Sequence, residues 1–143
     1  MRPAAGADGQ AEPDEMAHFT ASEHDGVVRA ALAGEVDISN VRTIEAELHG
    51  LSNEAFGLVL DLSATTFIDS SAVSLLFGLR ERLRRRGQIL HLVAPLGTAP
   101  RRVLELTGYE RAGSLDVDPV TAEQSIRAAT APVGAPAPKA ERR

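Results

Sequence analysis

The spacing of hydrophobic residues predicts alternating strands and helices, and the clearest unit runs from Leu58 to Arg86. It begins with a short apolar run, Leu58 to Leu62, which is typical of a buried strand. After a polar turn the apolar residues recur at helical spacing, at Ala72, Leu75, Leu76, Leu79 and Leu83. Three arginines and Gly87 then mark the end of the helix, since cations and a C′ glycine favour that position. The triplet Asp69, Ser70 and Ser71 therefore lies at the predicted helix start.

The residues before this unit predict a hairpin and a helix. Two strands, 18–24 and 27–36, flank Asp25-Gly26, a strong hairpin signal because both central residues of a type I′ turn need positive φ. Gly34 interrupts the second strand and indicates a bulge or a close approach. A helix with Val41, Ile44, Leu48 and Leu51 on one face follows, with Asp37 or Ser39 as its predicted cap.

The residues after the unit predict two further strand–helix pairs. A strand at 88–94 precedes a helix that Thr98 caps, with Val103, Leu104 and Leu106 facing inward. A strand at 115–117 precedes a helix that begins at Asp118-Pro119, with Ala122, Ile126 and Ala129 on one face. We predict one α/β domain over 18–129, an N-terminal hairpin followed by βα units, with about four helices on a mixed sheet. The segments 1–17 and 130–143 lack a core pattern and are predicted to be disordered tails.

Composition narrows the class of protein. The chain has 143 residues, no cysteine, a net charge of −5 and one lysine, Lys139. We expect neither a secretory signal nor a membrane span, because no apolar run has the required length, so the default location is cytoplasmic. The acidic balance argues against direct nucleic-acid binding.

The residues that carry chemistry do not assemble an enzyme active site. Ser70 or Ser71 is a conceivable nucleophile, but there is no G-x-S-x-G elbow and a capping role explains serine equally well. The four histidines lack metal-ligand spacing, and no phosphate-binding glycine motif exists. A phospho-aspartate receiver built on Asp61 would need further acids after the first strand and a lysine late in the fold, and no lysine is available there. A hydrogen-bonding role at the strand end is therefore expected for Asp61. The arginines at 80–86 fit a solvated helix end better than a nucleic-acid patch. We predict a protein that is not an enzyme and needs no cofactor or metal.

Three stretches together resemble the STAS domain, and the bacterial anti-sigma factor antagonists in particular. Gly34-Glu35-Val36-Asp37 is similar to the family's G-E-[LIV]-D element, and LVLDLSATTFIDSSAVSLL to its central strand, loop and D-S-S-G helix start. The strand at 88–93 and the helix at 103–108 resemble the family's later elements. The resemblance covers nearly all of 19–129.

The resemblance implies regulation by partner switching. An unphosphorylated antagonist binds an anti-sigma factor that is also a serine kinase and so releases a sigma factor. The kinase phosphorylates the second serine of the D-S-S-G element, which corresponds to Ser71 here, with Ser70 as the runner-up, and a serine phosphatase restores the active form. Asp37, Asp69, Ser70 and Ala72 then belong to the partner-binding surface.

One departure from the family pattern leaves a second function open. Ala72 stands where the family usually has glycine, and its methyl group is expected beside the acceptor serine. The alternative is a STAS binding module that is not phosphorylated, in a signalling or lipid-transport assembly, with Ser71 serving only as a helix cap.

Overall fold

The sheet and the helices follow the predicted order, with two short additions. The computed structural model describes residues 18–51 and 55–130; the predicted tail 1–17 and residues 131–143 of the predicted C-terminal tail lie outside them. The strands of the described part are β1 (His18–His24), β2 (Val27–Val36), β3 (Gly57–Asp61), β4 (Thr65–Ile68), β5 (Ile89–Val93) and β6 (Ser114–Asp116). Its helices are α1 (Val41–Leu51), α2 (Ser70–Arg85), α3 (Ala99–Leu106), α4 (Tyr109–Ala112) and α5 (Pro119–Thr130).

The six strands form one mixed sheet in the order β1-β2-β3-β5-β6, and β4 pairs with the end of β2. Only the β1–β2 pair of this sheet is antiparallel. Its turn confirms the hairpin prediction, because Asp25 and Gly26 have φ values of 53° and 84°. The predicted irregularity at Gly34 is a register shift in the β2–β4 pairing, where Gly34 has a φ of 98°. The single α/β domain with a mixed sheet is confirmed.

The strand β4 and the helix α4 are the additions that the sequence did not predict. Four residues of mixed polarity carry no strand period of their own, and β4 exists because Thr65–Ile68 pairs with Gly34–Val36 far away in the chain. In support of this pairing, the hydroxyl of Thr65 donates to the carbonyl of Leu32 at 2.7 Å. Because β4 lies parallel to the end of β2, the start of α2, which follows β4, is placed beside the end of β2.

The helices pack on the two faces of the sheet in unequal numbers. Helices α1 to α4 contribute to the larger core, together with Val28, Ala30 and Leu32 of β2. Helix α5 covers the other face, where Ala122 and Ile126 pack against Val27, Val59 and Val93. This division follows the alternation of side chains along each strand.

Helix α2 confirms the predicted apolar stripe and the predicted carboxyl end. The predicted apolar stripe, Ala72, Leu75, Leu76, Leu79 and Leu83, is buried. At the carboxyl end, the N–H of Gln88 donates to Leu83 at 2.8 Å and that of Gly87 to Arg84 at 3.0 Å. Gly87 has a φ of 75°, which completes a Schellman motif.

Two predicted inward-facing residues point outward. Leu106 is 81% exposed, whereas Pro100, Arg101 and Leu104 of α3 are buried. Arg101 is buried because its guanidinium donates to the carbonyls of Ala94 at 2.8 Å and Asp116 at 3.2 Å. Ala129 is likewise exposed, in the last turn of α5. A helical period predicts which residues share one face of a helix, but it does not predict at which residue that face stops contacting the rest of the core.

Candidate functional site

The carboxylate of Asp69 joins the start of α2 to the loop that follows β2. One of its oxygens, Oδ1, accepts the N–H of Ala72 at 3.0 Å, which makes Asp69 the N-cap. Its other oxygen, Oδ2, accepts the N–H of Ile38 at 3.1 Å. The backbone N–H of Asp69 also donates to the carbonyl of Val36 at 3.3 Å. Two segments more than thirty residues apart in sequence are thus held together by one side chain.

Ser70 and Ser71 occupy the first turn of α2, where their side chains are not used to hold the described fold together. Ser70 is exposed and Ser71 is half-buried. Neither hydroxyl makes a hydrogen bond within residues 18–51 and 55–130, and the same is true of their backbone N–H groups. Because Asp69 is the cap, the alternative that Ser71 serves as a helix cap is wrong. The two serine hydroxyls are available at the positive end of a sixteen-residue helix.

Asp37 lies on the loop that Asp69 holds. Its Oδ1 accepts the backbone N–H of Ser39 at 2.9 Å and the hydroxyl of Ser39 at 2.5 Å. Both hydrogen bonds, the one from the Ser39 hydroxyl more than the one from the Ser39 backbone, hold the pKa of Asp37 below its usual range. The side chain is therefore charged at neutral pH. The predicted cap of α1 by Asp37 or Ser39 is wrong, because the Asp37 carboxylate is used within the loop and α1 begins at Val41.

Asn40 fixes the loop from the inside. It is buried, its side-chain oxygen accepts the N–H of Asp37 at 3.0 Å, and its amide donates to the carbonyl of Glu35 at 2.8 Å. The carbonyl of Asn40 accepts the N–H of Ile44 in the first turn of α1. The loop between β2 and α1 is therefore a fixed shape that presents Asp37 and Ile38 beside Asp69.

Two exposed apolar side chains adjoin this site, and the sequence reasoning missed both. Ile38, whose N–H bonds Asp69, is 76% exposed, and Phe67, two residues before Asp69, is 47% exposed. Large apolar residues at the surface beside polar groups are typical of protein contact sites. An isolated isoleucine among the polar residues of the Asp37–Asn40 loop is the signal that would have identified Ile38.

Ala72 does not place its methyl group where the sequence led us to expect it. The residue is 1% exposed and belongs to the larger core. Its contribution to a docking surface is therefore limited to the backbone, whose N–H is already bonded to Asp69. The methyl group lies within the core and not between Ser71 and an approaching protein.

The other polar residues singled out in the sequence have structural partners. Asp61 accepts the N–H of Ser63 at 2.9 Å and the hydroxyl of Ser63 at 2.5 Å, as expected for a strand end. His91 lies 2.6 Å from Asp116 through Nδ1, which is the structural role expected for that histidine. Arg84 bonds Glu81 through two nitrogens, at 3.2 Å and 2.6 Å. Such pairing on the exposed end of α2 is consistent with the solvated helix end expected there.

The arrangement offers two serine hydroxyls at a helix N-terminus, with acids and apolar groups beside them. Free N–H groups and the helix dipole stabilise an anion at such a position. Within 18–51 and 55–130, no three His, Cys, Asp or Glu side chains are grouped as metal ligands. In the same part of the chain, no helix is both long and apolar enough to cross a membrane.

Comparison with known proteins gives one family. The family model described as the STAS domain matches residues 18–122. The anti-sigma-F factor antagonist RsfB of Mycobacterium tuberculosis is 28% identical over 101 residues, which cover 69% of this chain and 80% of RsfB. The crystal structure of an anti-sigma factor antagonist from Mycobacterium paratuberculosis aligns with a TM-score of 0.73 and 27% identity, over 80% of this chain and 97% of that chain. The Bacillus protein SpoIIAA in its phosphorylated form shares the fold, with a TM-score of 0.60 and 23% identity over 77% of this chain and 100% of that chain.

Proposed function

The chain belongs to the STAS domain family, and from that premise we propose that it is an anti-sigma factor antagonist that works by partner switching. In its unphosphorylated form it binds an anti-sigma factor of the serine-kinase type, which then releases its sigma factor. Phosphorylation of Ser71, or of Ser70 as the runner-up, ends that binding, and a serine phosphatase restores it. In this proposal the protein binds its partner and is phosphorylated by it, and it has no active site of its own. The proposal includes a cytoplasmic location, where sigma factors act.

The availability of the Ser71 hydroxyl is the observation that carries this proposal. Asp69 caps α2, so the hydroxyl has no hydrogen bond to give up when a kinase engages it. The serine is held at a helix start that Asp69 ties to the Ile38 loop, so the acceptor and the proposed contact residues share one rigid surface. The relatives RsfB and the antagonist from M. paratuberculosis support the same class of function.

The proposed docking surface consists of the residues predicted from the sequence together with Ile38 and Phe67, whose exposure the structure shows. Asp37, Asp69 and Ser70 supply polar contacts, Ala72 contributes through its backbone, and Ile38 and Phe67 supply exposed apolar area. Full burial of an isoleucine or phenylalanine side chain contributes about 1.5–3 kcal/mol. We therefore expect Ile38 to be the main anchor of the partner.

Phosphorylation at Ser71 is expected to act on the interface and not on the fold. A phosphoserine adds about −1.5 to −2 charges at neutral pH, and a helix N-terminus stabilises such a charge by roughly 0.3–1 kcal/mol. A kinase must bring the phosphates of its nucleotide against the acceptor hydroxyl, so after transfer two anions face each other. Like charges across an interface can cost several kcal/mol, and each 1.4 kcal/mol changes affinity about tenfold.

Variants of Ser71 test the proposal. Ser71→Ala is expected to bind the anti-sigma factor like the wild type, to resist phosphorylation and to melt at the same temperature, because the hydroxyl it loses has no partner. Ser71→Glu is expected to bind about tenfold more weakly or worse. Calorimetric titration, thermal melts and mass spectrometry after incubation with the kinase and ATP measure these effects, with Ser74→Ala and Ser74→Glu, at an exposed position of α2, as controls.

The same measurements define failure. If Ser71→Glu binds like the wild type and no phosphate is found on Ser71 or Ser70, the phosphorylation switch is wrong. Binding of the partner without phosphorylation would then support the alternative of a STAS binding module.

A further inference from the structure

The strand β1 forms an edge of the sheet on which no other strand of residues 18–51 and 55–130 pairs. It lies at the end of the strand order, and six of its seven residues are exposed, Phe19 being the exception. Natural sheet edges are usually guarded by charged side chains, lysine above all, by proline, by a bulge, by a short strand or by a segment that covers them. Within the described residues, the carboxylate of Glu23 is the one such guard on β1. In β1 there is no proline or lysine, and its register with β2 runs without interruption from His18 to His24.

The register of the hairpin shows which backbone groups are left open. His24 pairs with Val27 across a two-residue turn, and the residues that flank such a turn exchange both of their hydrogen bonds. Hydrogen bonding alternates along an antiparallel pair, so Thr20 and Ser22 also face β2. The N–H and C=O groups of Phe19, Ala21 and Glu23 therefore point away from the sheet. They have no partner within residues 18–51 and 55–130.

These open groups are self-complementary about Ala21. If two copies of β1 pair in antiparallel fashion with Ala21 on the two-fold axis, Ala21 faces Ala21 and Phe19 faces Glu23. The six open groups of each copy then form six hydrogen bonds between the copies. The side chain of Glu23, the one carboxylate of β1, meets an aromatic ring and not a second carboxylate, so no like charges oppose each other at these positions.

We propose that the protein forms a homodimer by antiparallel pairing of β1 with β1 of a second copy, centred on Ala21, which joins two six-stranded sheets into one. A seven-residue strand spans about 24 Å, so the contact is small and the dimer is weak and concentration-dependent. None of the paired backbone groups belongs to the Asp37, Asp69 and Ser71 surface. The proposal does not depend on the proposed function.

Opposite charges at position 21 test the pairing in the full-length protein. Ala21 is exposed, so Ala21→Lys and Ala21→Glu should fold, and each places like charges on the two-fold axis. We expect each variant alone to raise the dimer dissociation constant about tenfold or more, and an equal mixture of the two to restore it. Sedimentation velocity over a range of concentrations measures this. Thr43→Lys and Thr43→Glu, on the exposed face of α1, are the controls that should leave the dimer unchanged.

Cross-linking gives an independent measurement. The chain has no cysteine, so Ala21→Cys introduces a single thiol that should form a disulfide across the axis under mild oxidation, because directly opposed strand residues lie within disulfide distance. Thr43→Cys should not cross-link.

Three results would overturn the proposal. The first is a wild-type protein that is monomeric at every concentration up to about 1 mM. The second is a dimer that persists in Ala21→Lys, and the third is a mixture of the two charged variants that remains monomeric. The last result would show that the copies pair in another register or that another segment occupies the edge.

Discussion

Replacement of Asp69 should both destabilise the protein and loosen its proposed docking surface. The side chain accepts two backbone N–H groups, that of Ala72 in the first turn of α2 and that of Ile38 in the loop after β2. Asp69→Ala removes both acceptors at once. The helix then loses its N-cap, and the loop loses its tie to the helix start.

The two contacts give the expected size of the effect. An N-cap replaced by alanine costs about 0.5–2 kcal/mol. The bond to Ile38 is exposed, so water can replace it, and its loss costs about 0.5–1 kcal/mol. The sum is about 1–3 kcal/mol, or roughly 4–12 °C in melting temperature for a domain of this size. Asp69→Asn should lose only the part due to Ile38, about 0.5–1 kcal/mol, because asparagine is a good N-cap but its amide nitrogen cannot accept from Ile38.

Chemical denaturation measures the stability of the two variants, and calorimetric titration measures their affinity for the anti-sigma factor. Asp118→Ala is the matched control, because Asp118 caps α5 by accepting the N–H of Thr121 at 2.8 Å, and within residues 18–51 and 55–130 its carboxylate makes no hydrogen bond to another loop. We expect Asp118→Ala to reduce stability but leave partner affinity unchanged. Asp69→Ala should reduce both.

Equal behaviour of Asp69→Ala and Asp118→Ala in both assays would refute the reasoning. It would show that the Asp69–Ile38 bond neither stabilises the fold nor shapes the docking surface. If Asp69→Ala lost stability but kept its affinity for the partner, the capping role of Asp69 would stand. The docking role of the loop after β2 would then be wrong.

The remaining predictions concern the domain bounds, one close packing contact and one ion pair. A fragment of residues 18–130 should melt within a few degrees of the full chain and bind the same partner, since the described core lies inside it; a marked loss in a thermal melt would move the bounds. Gly57→Ala should cost about 1–3 kcal/mol in chemical denaturation, because a Cβ there would lie 2.6 Å from Cγ2 of Ile126, whereas Gly78→Ala, in an open helical position, should stabilise by about 0.5–1 kcal/mol; equal effects would refute the packing argument. Arg127, and after it Arg29, lowers the pKa of Glu123, so the stability that this carboxylate adds is present at neutral pH and is lost as the pH falls below about 4; Glu123→Gln should be less stable at pH 7 and equal near pH 2 by denaturation.

The sequence by itself determined the elements whose signals are local. Asp25-Gly26 requires a type I′ turn whatever surrounds it, because few other residue pairs accept two positive φ angles. The start and end of α2 were likewise readable, since a run of small oxygen-bearing side chains and a C′ glycine act within one helical turn of themselves. The position of Ser71 at the helix start follows from the same signals, and so the candidate site was found before the fold.

Only the tertiary structure decided the features that depend on distant pairing. Thr65–Ile68 becomes a strand because Gly34–Val36 is there to receive it. That Asp69, and not Ser71, is the cap is a choice among neighbouring oxygen-bearing side chains, and the choice is made by the geometry of the chain arriving from β4. Leu106 faces solvent because α3 is short and Arg101 takes the buried position beside the strand ends. The bond from Asp69 to Ile38 joins residues that no local pattern relates, because hydrogen bonds between distant segments exist only after the sheet has brought those segments together.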